Sequence, residues 1–236
     1  MSLERQVEAQ PDGVTRACAD LIADRLGRAL VARGTATLAL SGGSTPKPLY
    51  RMLATYDLQW RAVHVVQVDE RVAPADHPDR NWVAIEEGLV GVTGAVGHPM
   101  PTTREGAAAG SAGDWDVLVA SYADELRQLG RLDVVHLGLG DDGHTASLVP
   151  GDPVLDLTGS DAPSVAMTEP YQGRRRMTLT APTINAAATI VWQVVGGGKA
   201  HAVAQLLAED PSIPGSLIRQ ARDVHLVMDE AAGGRS

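Results

Sequence analysis

The apolar positions of the chain follow two alternating spacings. Residues 14–32, VTRACADLIADRLGRALVA, repeat apolar side chains at helical spacing, with Gly34 as a stop. TATLALSGG (35–43) is a short apolar and β-branched run that ends in a glycine turn, and predicts a strand. STPKPLYRMLAT (44–55) opens with hydroxyl residues and Pro46, both favoured at helix starts, and continues apolar at 49, 52 and 53. VHVVQVDER (63–71) predicts a second buried strand and LDVVHLGLG (132–140) a third, with helices beginning in PDRNWVAIEEGLV (78–90) and WDVLVASYADELRQL (115–129). Further strands are expected at 164–168, 176–180, 189–195 and 224–228, with a helix over 199–208 between the last two. Near-continuous apolar strands alternating with helices mark a sheet covered on both faces. The expected fold class is therefore α/β, a mostly parallel sheet sandwiched between helices. No internal repeat or charge block divides the chain, and GHPMPTTREGAAAGSAGD (97–114) reads as a surface loop running into a helix. A single domain over residues 1–236 is expected.

Composition narrows the function more than the fold. Hydrophobic residues at 44% and charged residues at 21% are ordinary for a globular chain, and no run approaches the roughly 18 apolar residues that a membrane span requires. The start, MSLERQVEAQPDG, lacks the basic-then-apolar plan of a secretory signal, and the lone Cys18 has no partner for an internal disulfide. A cytoplasmic protein is expected, with Cys18 a small buried hydrophobe. The net charge of -9 argues against nucleic acid as a partner and, with the absence of a span, leaves no membrane partner either. An anionic ligand would need positive charge assembled locally. Of the twenty basic residues only Lys47 and Lys199 are lysines, and each lies beside a glycine-containing turn at the end of a predicted strand.

Three short motifs carry chemistry. GLGDDGH, 138–144, contains GxGxxG after a strand, but Pro150, Gly151 and Pro153 interrupt the helix that a dinucleotide fingerprint needs, and Asp141 and Asp142 would sit where a pyrophosphate belongs. The loop makes better sense as catalysis: Asp142, two positions from His144, orients the ring and stabilises the imidazolium when His144 accepts a proton. SGGST (41–45) offers backbone amides at Gly42 and Gly43 and hydroxyls at Ser44 and Thr45 to an anion, expected to be a phosphate. GGGKA (196–200) is not a P-loop but delivers Lys199, a point-charge partner for phosphate, at a helix start. VDER (68–71) places Asp69 and Arg71 on one face of a strand, and of the three arginines at 174–176, Arg176 is the one expected in a pocket, with the other two on a solvated rim. No metal site is expected, since no HxH, HxxxH or CxxC spacing occurs.

LSGGSTPKPLY, VDERVAPADHPDRNW, GLGDDGHTASLVPG, RRRMTLTAPTINAA and GGGKA, in this order over residues 40–200, resemble the 6-phosphogluconolactonases of the superfamily that also holds glucosamine-6-phosphate deaminase. The resemblance implies a modified Rossmann-like fold with no cofactor and no metal. It implies hydrolysis of 6-phospho-D-glucono-1,5-lactone, the second step of the oxidative pentose phosphate pathway; a monomer or homodimer is expected, with the sequence not deciding between them. It implies His144 as general base with Asp142 orienting it, phosphate held by Gly42, Gly43, Ser44, Thr45, Arg71, Arg176 and Lys199, and further substrate contacts from Asp69 and Asn81. The deaminase pattern carries a glutamate five positions after the histidine, where this chain has Val149, and a tyrosine where it has Arg71. Both differences favour the lactonase. The rivals are an isomerase or deaminase using Asp69 as base, and a non-catalytic sugar-phosphate sensor. Val149 also departs from the aromatic usual in the lactonase loop, a change of packing, and Arg80, where serine is common, is expected to add a charge near the site mouth.

Overall fold

The computed structural model describes residues 3–102, 112–159, 161–219 and 221–234. Seven parallel strands form the main sheet: β1 (Leu3–Glu8), β2 (Ala36–Leu40), β3 (Val63–Gln67), β5 (Val96–His98), β6 (Val134–Leu137), β9 (Thr189–Val194) and β10 (Asp223–Asp229). Their order is β1-β10-β9-β6-β2-β3-β5. Every residue of β2, β6 and β9 is buried, as strands covered on both faces must be.

The helices divide between the faces. On one, α1 (Pro11–Arg33) and α2 (Lys47–Leu53) pack with the helical run α3 (Asn81–Ile85), a π turn (Glu86–Val90) and α4 (Gly91–Thr93) around a core of Ile22, Leu26, Leu38, Leu40, Tyr50 and Leu89. On the other, α5 (Ala112–Leu129), α6 (Ala181–Asn185) and α7 (Ala200–Ala208) cover Val135, Leu137, Trp192 and Leu226. Pro11 opens α1, and Gly34, at φ 77°, closes it by turning left-handed so that its N–H reaches Leu30 O at 2.8 Å. Cys18 lies on the buried face of α1, where desolvation pushes its thiol pKa up, as for a packed hydrophobe.

The structure corrects the sequence reading in three places. The run 63–71 is not one strand. Val68 N–H bonds Leu40 O in the main sheet while Val68 O accepts from Leu179 N, so the chain changes sheets at that residue. Beyond it, β4 (Asp69–Arg71) joins β7 (Val165–Met167) and β8 (Arg176–Leu179) in a separate antiparallel sheet ordered β4-β8-β7. Second, LERQVE, for which the sequence predicts no element, forms β1, an edge strand whose middle four residues are exposed, so no apolar alternation announces it. Third, β5 and α6 went unread because each is only three to five residues long. Within 97–114, residues 103–111 lie outside the described residues. Among the described residues, no helix is long and apolar enough to cross a membrane.

Candidate active site

Chain order reverses between β2 and β6: from β2 the chain proceeds outward to β3 and β5, and from β6 outward the other way to β9 and β10. The loops leaving the carboxyl ends of β2 and β6 therefore diverge, and such a switch point leaves a crevice where open α/β sheets bind ligands. A cavity of about 240 Å³ occupies it. Its lining brings together Gly42, Gly43, Ser44, Thr45, Asp69, Arg71, Asn81, His144, Arg176 and Lys199, contributed by loops separated by up to 157 positions (199 − 42) in sequence. Lys47 is exposed and takes no part. Asp142 does not line the cavity but stands behind His144.

The loop after β6 is a tight turn built to hold one ring. One oxygen of Asp142, Oδ1, accepts from the His144 backbone N–H at 3.1 Å and faces the ring Nδ1 at 2.6 Å, while Tyr171 Oη–H donates to Asp142 Oδ2 at 3.2 Å. Burial raises the Asp142 pKa, but these bonds outweigh it and hold the carboxyl below the usual carboxylate range. An ionised carboxylate only accepts, so the proton sits on Nδ1 and Nε2 is left as the basic nitrogen. Tyr171 also meets the His144 ring edge-on at 5.8 Å. Gly140 makes the pair possible: a Cβ there would lie 2.1 Å from His144 Nδ1 and 2.7 Å from Asp142 Oδ1. Gly140→Ala must push the ring out of place. Its expected result is a loss of turnover approaching that of deleting the imidazole, about 10²-fold or more, read from steady-state rates.

The loop after β2 supplies an anion cradle. Among the described residues, no backbone carbonyl accepts from the N–H groups of Gly42, Gly43, Ser44 or Thr45. Gly43 is at φ 109°, and a Cβ at Gly42 would lie 1.9 Å from Asn81 Cγ, so this turn excludes side chains at both positions. Asn81 is held by its Nδ2–H bond to Asp69 O at 2.9 Å, while its buried Oδ1 has no partner.

The small sheet carries the charge. Arg71 and Arg176 are direct cross-strand partners, a pairing of like charges that destabilises a sheet. Neither forms an ion pair within 4.0 Å among the described residues, whereas Arg174 pairs with Asp79 and Arg175 with Glu169. Arg176 is 6% exposed, its Nε is buried with no acceptor, and its guanidinium lies 5.2 Å from the Tyr171 ring centroid. Burial, with the neighbouring Arg71, lowers its pKa, opposed by Asp69. Asp69 is buried too; desolvation raises its pKa against the Ser147 hydroxyl bond at 2.6 Å and the charge of Arg176. Lys199 Nζ reaches Asp141 Oδ1 at 2.5 Å. The cavity thus shows three cations and one carboxylate in a chain of net charge -9.

Glu70 and Arg80 belong behind this wall, not at the mouth. The Glu70 carboxylate is fully buried and accepts from Arg71 N, Asn81 N, Trp82 N, Gln67 Nε2 and Arg80 Nε, so it fixes the start of α3 and the carrier of Asn81. Arg80, 7% exposed, bonds Glu70 and Met100 O, which corrects the expectation of a charge at the site entrance. Val149 is buried and does not line the cavity.

Sequence reasoning missed Tyr171, in a loop without periodicity, and the polar floor formed by His136 and Gln193 inside apolar strands. His136 Nε2 meets Gln193 Oε1 at 3.0 Å and Gln193 Nε2 donates to Thr15 Oγ1 at 3.3 Å, while His136 Nδ1 is buried without a partner. Burial pushes the His136 pKa down from 6.5 to about 4. The unfolded chain therefore binds a proton near pH 6.5 that the folded chain refuses until about pH 4, so stability falls as pH falls through that window, by up to about 3 kcal/mol. His136→Leu is expected to flatten this part of the dependence, measured by urea unfolding at pH 7 and pH 4.5. Among the described residues, no three His, Cys, Asp or Glu side chains group as a metal site.

A sequence profile described as glucosamine-6-phosphate isomerases/6-phosphogluconolactonase matches residues 9–227. The 6-phosphogluconolactonase of Synechocystis is 36% identical over 222 residues, covering 90% of this chain and 89% of its own, and that of Rhizobium meliloti is 36% identical over 214 residues, covering 87% and 88%. The 6-phosphogluconolactonase structure from Trypanosoma brucei superposes with a TM-score of 0.87 at 27% identity, covering 99% of this chain and 98% of its own. A monomeric glucosamine-6-phosphate deaminase shares the fold, with a TM-score of 0.82 at 20% identity, 98% of this chain and 99% of its own being covered.

Proposed function

Because the chain belongs to the glucosamine-6-phosphate isomerase/6-phosphogluconolactonase family, we propose that it hydrolyses 6-phospho-D-glucono-1,5-lactone to 6-phospho-D-gluconate. The observation that carries this reading is His144, backed by Asp142, in one cavity with three cations, of which Arg71 and Arg176 form no ion pair within 4.0 Å among the described residues. His144 Nε2 takes a proton from water as the water oxygen attacks C1 of the lactone. The tetrahedral oxyanion collapses, the bond from C1 to the ring oxygen breaks, and the imidazolium returns its proton to that oxygen. Asp142 stabilises the imidazolium between the two transfers, and the product carboxylic acid releases its own proton to solvent.

The phosphate lies against the Gly42, Gly43, Ser44 and Thr45 turn with Arg71, Arg176 and Lys199. Its binding energy positions C1 against His144. Asp69 and the unpartnered Oδ1 of Asn81 accept from sugar hydroxyls. The protein works as a monomer or homodimer in the cytoplasm, without cofactor, metal, nucleic acid or membrane.

One observation favours a second reading: Asp69 lies in the same cavity with its pKa raised, as a base for proton abstraction at C2 of an amino sugar phosphate would. Against it stand Arg71 and Val149 at the positions where the deaminase pattern needs tyrosine and glutamate. The two readings part in one experiment, in which the lactone is generated in the cuvette from glucose 6-phosphate and glucosamine 6-phosphate is offered in parallel. Hydrolysis above the spontaneous rate with no ammonia release supports the lactonase; ammonia release without lactone hydrolysis overturns it.

Lys199 divides its charge between Asp141, whose side chain is 73% exposed, and the substrate. An exposed pair of this kind is worth about 0.2–1 kcal/mol. Asp141→Asn is therefore expected to lower KM by up to about five-fold with turnover unchanged, in steady-state kinetics.

A further inference from the structure

A second cavity, of about 330 Å³, lies away from the catalytic one and shares none of its lining residues. Its size falls within the range of about 300–1,000 Å³ typical of small-molecule sites. Its lining is mixed: Leu3, Trp192, Leu206, Leu207, Ile218 and Val224 supply apolar side chains, while the accessible surface is shared about evenly between polar and apolar atoms. Its charged lining is Arg5, Arg219 and Glu209. Arg219 gives Nη1 to Glu209, and among the described residues its buried Nη2 has no hydrogen-bond partner. A guanidinium nitrogen desolvated and unpaired in this way costs free energy. Arg5, exposed on the edge strand β1, adds a second cation, so the lining carries a net positive charge in an acidic chain.

We propose that this cavity is a second ligand site, for a small organic anion with an apolar body, such as a medium-chain carboxylate. The charge pattern selects the class. The apolar side chains favour a ligand with a hydrocarbon body over a bare phosphate, and two arginines against one glutamate favour an anion over a neutral molecule of the same length.

Both walls of the cavity lead to the catalytic loops. Leu206, Leu207 and Glu209 lie at the carboxyl end of α7, whose amino end follows directly on Lys199. Ile218 and Arg219 continue a segment in which Gly215 N–H donates to Gly143 O at 2.9 Å, beside His144. Ile213 of that segment packs so closely on Gly143 that a Cβ there would lie 2.4 Å from Ile213 Cβ. α7 and this segment thus connect the cavity to Lys199 and to the His144 loop.

The test is calorimetric titration of the full chain with octanoate, with octanol as the uncharged control, in the presence and absence of 6-phosphogluconate. The expected result is one octanoate per chain, not displaced by 6-phosphogluconate, bound about tenfold or more weaker by Arg219→Gln, with octanol weaker by a similar factor. Leu207→Trp, which fills the cavity, abolishes binding, and its thermal melt reports whether the fold is kept; if Arg219→Gln does not fold, Arg5→Gln with Leu207→Trp decides the matter. Absence of saturable binding, displacement by 6-phosphogluconate, or equal binding of octanol overturns the proposal. So does light scattering that shows a dimer of the parent chain and a monomer of Leu207→Trp.

Discussion

His144→Ala is expected to lower turnover on 6-phosphogluconolactone by about 10²–10⁴-fold while KM stays within a few-fold of the parent. The argument rests on where the ring stands. It lines the cavity, faces a carboxylate 2.6 Å from its Nδ1, and is not part of the cation set proposed to hold the phosphate. Removing it deletes the acceptor for the water proton in the transition state and leaves the ground-state contacts in place. Steady-state kinetics, corrected for spontaneous hydrolysis, read both parameters, and circular dichroism shows that the fold is kept. Turnover retained with a large rise in KM would place His144 among the binding groups and contradict its role as base.

Arg176→Met is expected to do the opposite to affinity and nothing harmful to stability. Truncating one partner of a buried charge pair costs about 2–5 kcal/mol, here about 30-fold or more in kcat/KM, carried mainly by KM. The same change removes the like-charge pairing with Arg71 across β4 and β8 and a buried Nε that has no acceptor, while the methionine keeps an apolar stem against Tyr171. Against these gains stand the lost Nη2–H bond to Gln172 Oε1 at 3.3 Å and the lost attraction to Asp69, so the melting temperature is expected to change little. A group that adds little to the empty protein and strengthens the complex is what an anion site built from opposed arginines requires. A drop in melting temperature with KM unchanged would show that Arg176 holds the small sheet together and not the substrate.

Much of this arrangement could be read before any fold was seen, and the reasons are local. SGGST, GLGDDGH and GGGK each follow an apolar run, and a parallel sheet brings the carboxyl ends of its strands to one edge, so loops distant in sequence meet. What escaped was set by tertiary context. The break at Val68 is invisible because VHVVQVDER is continuous in pattern; only the hydrogen bonds to Leu40 and from Leu179 divide it between two sheets. β1 is an edge strand with a solvated middle and carries no alternation. Arg80 was placed at the entrance because charge usually faces water, yet Glu70 draws it inside. His136 and Gln193 meet through one hydrogen bond across β6 and β9, a pairing no single strand pattern reveals.

The central claim is tested most directly by following freshly generated 6-phospho-D-glucono-1,5-lactone by NMR with and without the purified chain. The account predicts that the lactone disappears, and 6-phosphogluconate appears, at a rate proportional to the amount of chain and saturable in lactone. Decay at the spontaneous rate, unchanged as the chain is added, would contradict it.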